Sequence, residues 1–180
     1  MPREPVRLSA ALPAARYLSN RGVSFAVIGA SAMAVHGVSR STADVDFLTT
    51  DRRVLDESFW SDWQSGYEVR RGDDEDPLAG VVRLESPGLR QVDIVVGRSA
   101  WQQSLVEGAR AVTVQTTGLP VVDAAGLILL KLFAGGSQDR WDIEQLLAAN
   151  PRTELARVVE ERINALPRGA QRLWDNLKRQ

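Results

Sequence analysis

The chain has no cysteine and only one histidine, His36, among its 180 residues. Without cysteine it cannot form a disulfide scaffold, a thiolate zinc site or a cysteine nucleophile. With one histidine it cannot form a clustered histidine metal site, and a histidine-based triad would have to use His36.

The chain also has almost no net charge and no long apolar segment. The formal net charge is -1, from 22 basic and 23 acidic residues, so attraction to nucleic acid or an anionic membrane would need a local patch. The longest apolar stretch, Ala124–Ala134, is too short to span a bilayer and includes Lys131. The first residues lack the apolar run of a secretory signal. We therefore predict a cytoplasmic protein with no membrane partner.

Size and apolar patterning favour one buried core with a helical annex. At 180 residues and 44% hydrophobic composition, the chain can bury one core but hardly two. Short strands and helices alternate up to a last predicted strand at 111–115, and the pattern from Asp123 onward is helical. The predicted fold class is α/β (α+β), with a mixed-sheet core at residues 1–118 and a C-terminal helical part at 119–180 packed on that core.

A glycine turn joins an early strand to a helix. An apolar strand is predicted at 25–28, it ends at Gly29, and a short helix follows Ser31. Free backbone N–H groups and the positive end of the helix dipole meet at such a turn, which suits a phosphate group. The Ser31 hydroxyl adds a further donor. A simple tight turn would give the same pattern, so the sequence leaves both interpretations open.

Two acids, Asp44 and Asp46, alternate with apolar residues in a predicted strand at 44–49. Residues i and i+2 of a strand share one face and lie about 7 Å apart. Two carboxylates fixed there repel each other unless a cation lies between them, and hard oxygen ligands suit magnesium. The alternative is a pair of solvated acids, which the apolar neighbours disfavour because they indicate a largely buried strand.

A third acid, Asp93, is embedded in an apolar strand predicted at 91–96. A buried carboxylate needs a partner. If this strand lies beside the strand of Asp44 and Asp46, the three carboxylates converge and would support two metal ions about 4 Å apart. Alone, Asp93 is equally consistent with an acid at a strand end that forms a salt bridge.

These motifs together resemble a known superfamily. The glycine turn, the Asp-x-Asp pair and the later acid resemble the DNA polymerase β-like nucleotidyltransferases, in particular small bacterial and archaeal members such as the AbiEii-type (MenT-like) toxin enzymes. The matching core positions are Gly29, Ala30, Ser31, Ala32, Gly37, Arg40, Thr42, Asp44, Val45, Asp46 and Asp93. Two later segments, 130–134 and 139–142, resemble the pair of helices that follows the core in that group.

The resemblance implies a metal-dependent nucleotidyltransferase and a role for individual residues. The implied catalytic acids, which are also the implied ligands of Mg²⁺ (or Mn²⁺), are Asp44, Asp46 and Asp93. The last of these would help to deprotonate the attacking hydroxyl. The implied nucleotide-binding residues are Gly29, Ala30, Ser31, Arg40, Lys131 and Asp139. One departure is Ala30, which stands where the family motif has a second glycine or a serine.

The resemblance also implies partners, and two positions keep a structural alternative. The donor would be a nucleoside triphosphate, and the acceptor a hydroxyl on RNA (such as tRNA), a protein or a small molecule. A cognate antitoxin or toxin would be a further partner. Lys131 would reach a phosphate or merely extend its amine to water, and Arg40 would clamp a phosphate or stabilise the loop before Asp44.

Two other functions stay open at the level of sequence. The first is a non-catalytic member of the same fold that binds a nucleotide or a partner protein, which Ala30 favours. The second is a phosphohydrolase of the haloacid dehalogenase type, because that family also has an Asp-x-Asp motif. There a threonine or valine is expected two places after the second acid, where this chain has Leu48.

Overall fold

The computed structural model describes residues 8–39, 42, 44–85 and 91–179. Its strands are β1 (Ala26–Ile28), β2 (Asp44–Thr49), β3 (Tyr67–Arg71), β4 (Gly80–Leu84), β5 (Gln91–Val96), β6 (Arg110–Val114) and β7 (Thr117–Val121). Its α-helices are α1 (Leu12–Asn20), α2 (Gly29–Val35), α3 (Ala100–Glu107), α4 (Ala124–Ala134), α5 (Ser137–Ala149), α6 (Arg152–Arg162) and α7 (Arg168–Leu177). Short 3-10 turns lie at Ser9–Ala11, Arg52–Leu55, Glu57–Trp60 and Ile163–Ala165. None of the helices described has the length and apolar character that a membrane crossing requires.

The strands form one mixed sheet in the order β3-β4-β5-β2-β1-β7-β6. β2 runs parallel to β5, and β1 runs parallel to β7. The other neighbouring pairs are antiparallel. The predicted mixed α/β architecture is confirmed. The two strands that carry the three candidate acids are direct neighbours near the centre of the sheet.

The two faces of the β4-β5-β2 part of the sheet differ sharply in burial. Side chains alternate between the faces of a strand, so every second residue belongs to one face. One face is apolar and fully buried, through Val45, Phe47, Val82, Leu84, Val92, Ile94 and Val96. The opposite face of β2 and β5 carries Asp44, Asp46, Gln91 and Asp93, which are all half-buried. The acids therefore lie on the face opposite this apolar one, where Leu48 of β2 is buried beside them.

The helices after the sheet pack around α4. This helix is apolar on nearly all sides, with Leu127, Ile128 and Leu129 buried, and it contacts α5, α6 and α7. It also contacts α2, the helix that follows the glycine turn. A helix that is apolar all round needs neighbours on every side, and these helices supply them.

Most predicted elements lie where the structure has them, but one strand was missed. The predicted strand at 111–115 corresponds to β6 and is not the last, because β7 follows it and pairs with both β6 and β1. Gly118 and Pro120 within β7 are residues that strands usually avoid, so the segment has the composition of a loop. The predicted division near residue 118 falls inside β7, and the division into core and helical part stays a prediction.

Candidate active site

The register between β2 and β5 brings the three candidate acids to one place. Asp46 is directly opposite Asp93, and Asp44 is opposite Gln91. Partners in a parallel pair point to the same face, and neighbouring strands are about 4.8 Å apart. The condition that the sequence left open, that these two strands lie side by side, is therefore met.

The carboxylate of Asp44 has one oxygen that lacks a partner. Its Oδ1 atom is buried and accepts no hydrogen bond from the residues that the structure describes. Its backbone N–H is satisfied, since it donates to Thr42 Oγ1 at 3.2 Å. A buried acceptor without a partner costs about 1–3 kcal/mol. A hard divalent cation is the kind of group that such a carboxylate oxygen fits.

The glycine turn presses directly against Asp46. Gly29 has a φ of +66°, a conformation that other residues rarely adopt. A Cβ atom at this position would lie only 2.1 Å from Asp46 Oδ2. Ala30 and Ser31, the next two residues, are buried in the first turn of α2. The predicted phosphate turn and the predicted metal ligands are thus parts of one site.

Asp93 is held by a salt bridge. Arg83 on β4, directly opposite in register, donates from Nε to Oδ1 at 3.0 Å and from Nη2 to Oδ2 at 3.2 Å. Gln91 Nε2 donates to the same Oδ2 at 3.2 Å. The hydrogen bonds to Asp93, reinforced by its negative charge, raise the pKa of the Arg83 guanidinium. The salt-bridge alternative that the sequence left open is what the structure contains.

This salt bridge determines how well the site suits a metal. Among the described residues, no three histidine or acidic side chains are arranged to hold a metal ion. Asp44 and Asp46 fit a divalent cation as a pair, because of the unpartnered Asp44 oxygen and the shared strand face. Asp93 could join them only after Arg83 released it. The sequence analysis did not single out Arg83, which only the β4-β5 register reveals.

Lys131 lies between two acids. Its Nζ atom is 2.7 Å from Asp142 Oδ2 and 3.0 Å from Asp139 Oδ1. Asp142 is fully buried, and Gln138 also donates to it at 3.3 Å. Burial alone would lower the pKa of the Lys131 ammonium, but the hydrogen bonds to Asp142 and Asp139 outweigh burial and raise it. The amine does not extend freely to water. Its predicted contact with a phosphate stays a prediction, as does the nucleotide-binding role of Asp139.

Two further residues from the sequence analysis have different outcomes. Arg40, a predicted phosphate ligand, lies outside the residues that the structure describes. His36 Nε2 forms a hydrogen bond of 2.8 Å with the carbonyl oxygen of Val122, and Asn150 donates to the His36 carbonyl at 3.2 Å. The only histidine of the chain therefore ties the end of α2 to neighbouring elements.

Solved structures with a similar fold are nucleotidyltransferases or resemble them. The solution structure of the antibiotic-resistance factor ANT(2'')-Ia matches with a TM-score of 0.60 and 13% identity, covering 90% of this chain and 93% of that one. The crystal structure of ANT(2'')-Ia with adenylyl-2''-tobramycin matches with a TM-score of 0.56 and 13% identity, covering 87% of this chain and 99% of that one. An antigenic nucleotidyltransferase-like protein from Paracoccidioides brasiliensis matches with a TM-score of 0.53 and 17% identity, covering 90% of each chain. At these identities the similarity establishes the fold. No protein-family model and no curated protein matches the sequence.

The contact between Gly29 and Asp46 can be tested with alanine at two glycines. Gly22 has nearly the same φ, +67°, but has open space where a Cβ would go. We expect Gly22→Ala to lower the free energy of unfolding by about 1–2 kcal/mol, the cost of a left-handed non-glycine residue. Gly29→Ala should lower it by about 1–3 kcal/mol more, since its Cβ overlaps the Asp46 carboxylate. Urea unfolding measures both, and equal losses would contradict the contact.

The buried ion pair of Lys131 predicts a large stability effect. We expect Lys131→Met to lower the free energy of unfolding by about 3–5 kcal/mol, because Asp142 loses its cation inside the protein. The matched control is Lys178→Met, since Lys178 also bridges two acids but on the surface, where ion pairs contribute little. Urea unfolding at neutral pH compares them, and similar losses from both variants would refute a structural role.

The pH dependence of this ion pair has a defined sign. The folded pKa of Lys131 is raised, so its contribution is fully present below the ordinary lysine pKa. It is lost only as the pH rises through the folded value. The difference in unfolding free energy between wild type and Lys131→Met should therefore not decrease from pH 7 to pH 9, as measured by urea unfolding at each pH.

Proposed function

We propose that this chain is a metal-dependent nucleotidyltransferase that transfers a nucleoside monophosphate from a nucleoside triphosphate to a hydroxyl acceptor. The observation that carries the proposal is the arrangement around Asp46. This residue lies opposite Asp93 across two parallel strands and touches the Gly29 turn, and the neighbouring Asp44 has an unpartnered oxygen. The fold shared with nucleotidyltransferases at TM-scores of 0.53–0.60 supports it.

Each group in the site has a defined task in this reaction. Asp44 and Asp46 would hold Mg²⁺ (or Mn²⁺), which when bound neutralises charge on the triphosphate and on the departing pyrophosphate. Backbone N–H groups at the Gly29 turn would donate to the phosphates, and Ser31 offers a further donor. Asp93 orients the acceptor hydroxyl and accepts its proton. The acceptor oxygen then bonds to the α-phosphorus as the bond to pyrophosphate breaks.

The finer assignment rests on the sequence motifs alone. The segments 130–134 and 139–142, together with the core motifs, support membership in the AbiEii-type (MenT-like) group. On that basis we propose a role in a toxin–antitoxin pair, with a cognate antitoxin or toxin as partner. The acceptor would then be a hydroxyl on RNA, on a protein or on a small molecule.

A second candidate function is a non-catalytic member that binds a nucleotide or a partner protein. Two observations favour it. The first is the salt bridge between Arg83 and Asp93, which occupies both oxygens of the acid that would act on the acceptor. The second is Ala30 in place of a glycine or serine. Pyrophosphate release in the presence of an acceptor separates the two functions.

Variants of two acids distinguish nucleotide binding from transfer. We expect Asp46→Asn to lose magnesium-dependent triphosphate binding while it stays folded. Asp93→Asn should bind triphosphate within several-fold of wild type but transfer nucleotide slower by orders of magnitude, because this acid acts mainly in the transition state. The matched control is Asp175→Asn, an exposed acid on α7 that should match wild type in both assays.

The measurements are calorimetric titration with each triphosphate and transfer of label from α-labelled triphosphates to RNA and lysate acceptors. Binding is compared with magnesium and with EDTA. Tight binding by Asp46→Asn in EDTA would overturn the metal assignment. Transfer by Asp93→Asn at the wild-type rate would make this acid purely structural. Release of inorganic phosphate instead of pyrophosphate would indicate a phosphohydrolase.

A further inference from the structure

The face of the sheet that carries the acids continues beyond Asp93 onto β4 and β3. Arg83 on β4 is opposite both Asp93 and Glu68, and Arg70 on β3 is opposite Val81. Residues in direct antiparallel register share a face, so all of these side chains belong to the face of the candidate site. Burial decreases along this row, from the half-buried Asp93 to the exposed arginines.

A cavity of about 340 Å³ opens on this continuation. Its walls are residues of β3 and β4, of which Glu68, Arg70, Val81 and Arg83 belong to the shared face, and the loop between these strands. Its charged lining residues are Glu68, Arg70, Arg71, Asp76 and Arg83. Each of the three arginines already forms an ion pair, Arg70 with Glu68, Arg71 with Asp56 and Arg83 with Asp93. The cavity therefore offers guanidinium groups to a ligand by exchange of these acids, not by an excess of positive charge. Arg83 belongs both to this cavity and to the salt bridge with Asp93, so the cavity begins where the candidate site ends.

The arginines that line the cavity form exposed ion pairs, which a phosphate group can replace. Arg70 Nε is 2.8 Å from Glu68, and Arg71 Nη2 is 2.7 Å from Asp56. The arginine side chains are 69% and 60% exposed. Exposed ion pairs contribute little, since water screens them and long side chains lose entropy. Guanidinium groups bind phosphate, as they bind carboxylate, through two parallel hydrogen bonds, so a phosphate group can take the place of the acid in such a pair.

The position of the cavity relative to the glycine turn assigns it a role. Gly29 follows β1 on one side of β2, whereas β5, β4 and β3 lie on the other side. If the triphosphate lies at the Gly29 turn, as the proposed function requires, the acceptor must approach Asp93 from the β4 side. An acceptor hydroxyl at Asp93 therefore places the rest of that molecule over Arg83 and the cavity.

We propose that this cavity is an acceptor subsite for a phosphate group, bound by Arg70 and Arg83, on a molecule whose hydroxyl reaches Asp93. The role as an acceptor subsite rests on the proposed function, whereas the binding of phosphate by the two arginines does not. Arg83 exchanges Asp93 for the acceptor phosphate, which leaves Asp93 able to accept a proton.

The test is a nitrogen-15 NMR titration of the full chain with glycerol 3-phosphate, and with glycerol as the probe without phosphate. Neither metal nor triphosphate is added. We expect saturable amide shifts at Gly72, Gly80 and Val81 with glycerol 3-phosphate only. Arg70→Gln and Arg83→Gln should each weaken binding about tenfold, the scale of one charge-assisted contact. The matched control is Arg157→Gln, an exposed and paired arginine on α6, which should not change the affinity.

Two further arms define the phosphate chemistry and the outcomes. If a diadenosine dinucleotide binds more tightly than glycerol 3-phosphate, the subsite is supported and its ligand is a phosphodiester. If glycerol 3-phosphate binds more tightly, the subsite is supported and its ligand is a phosphate monoester. Three outcomes would overturn the subsite. The first is amide shifts confined to Gly29–Ser31, and the second is the absence of saturable shifts. The third is an equal loss of affinity from Arg70→Gln and Arg157→Gln. The titration contains neither metal nor triphosphate, so its result is independent of the nucleotide-transfer assay. Phosphate binding without nucleotide transfer would contradict the proposed function and still support the phosphate site.

Discussion

The parallel register between β2 and β5 is the constraint on which the candidate site depends. A slip of one residue would turn every side chain of a strand to the opposite face, so that Asp93 would enter the core and Ile94 would leave it. The apolar alternation that buries Val92, Ile94 and Val96 prevents this slip, because exposing them loses hydrophobic burial. The core thus fixes the position of the acids, although none of them belongs to it.

Around this register the protein balances acids against cations within the chain. Arg83 neutralises Asp93, and Lys131 neutralises the fully buried Asp142. The two pairs differ in exposure, since Arg83 and Asp93 are 44% and 16% exposed, whereas Lys131 and Asp142 are 18% and 0% exposed. A pair with one exposed member can be exchanged for a ligand more readily than a buried pair, which is part of the folded structure. One ion pair can therefore be opened by a ligand, whereas the other stabilises the fold.

The sequence predicted those parts of the site that depend on local pattern. The strand at 44–49, the glycine turn and the acid in a later strand all follow from residues near one another in the chain. The parts it did not predict depend on which strands become neighbours. Arg83 meets Asp93 only through the β4-β5 register, and the Lys131 cluster needs two helices to meet. β7 was missed because Gly118 and Pro120 resemble a turn, although pairing with β1 and β6 holds it in the sheet.

The outer position of β3 has a consequence for how copies of this protein behave beside one another. An edge strand presents unpaired backbone groups that can template the addition of a strand from another molecule. In β3, three of the five residues are charged, Glu68, Arg70 and Arg71, and all three are exposed. Charges of both signs along this short strand discourage a second copy from pairing with it. The arginines that face the cavity thus also help to keep the protein from aggregating through its sheet edge.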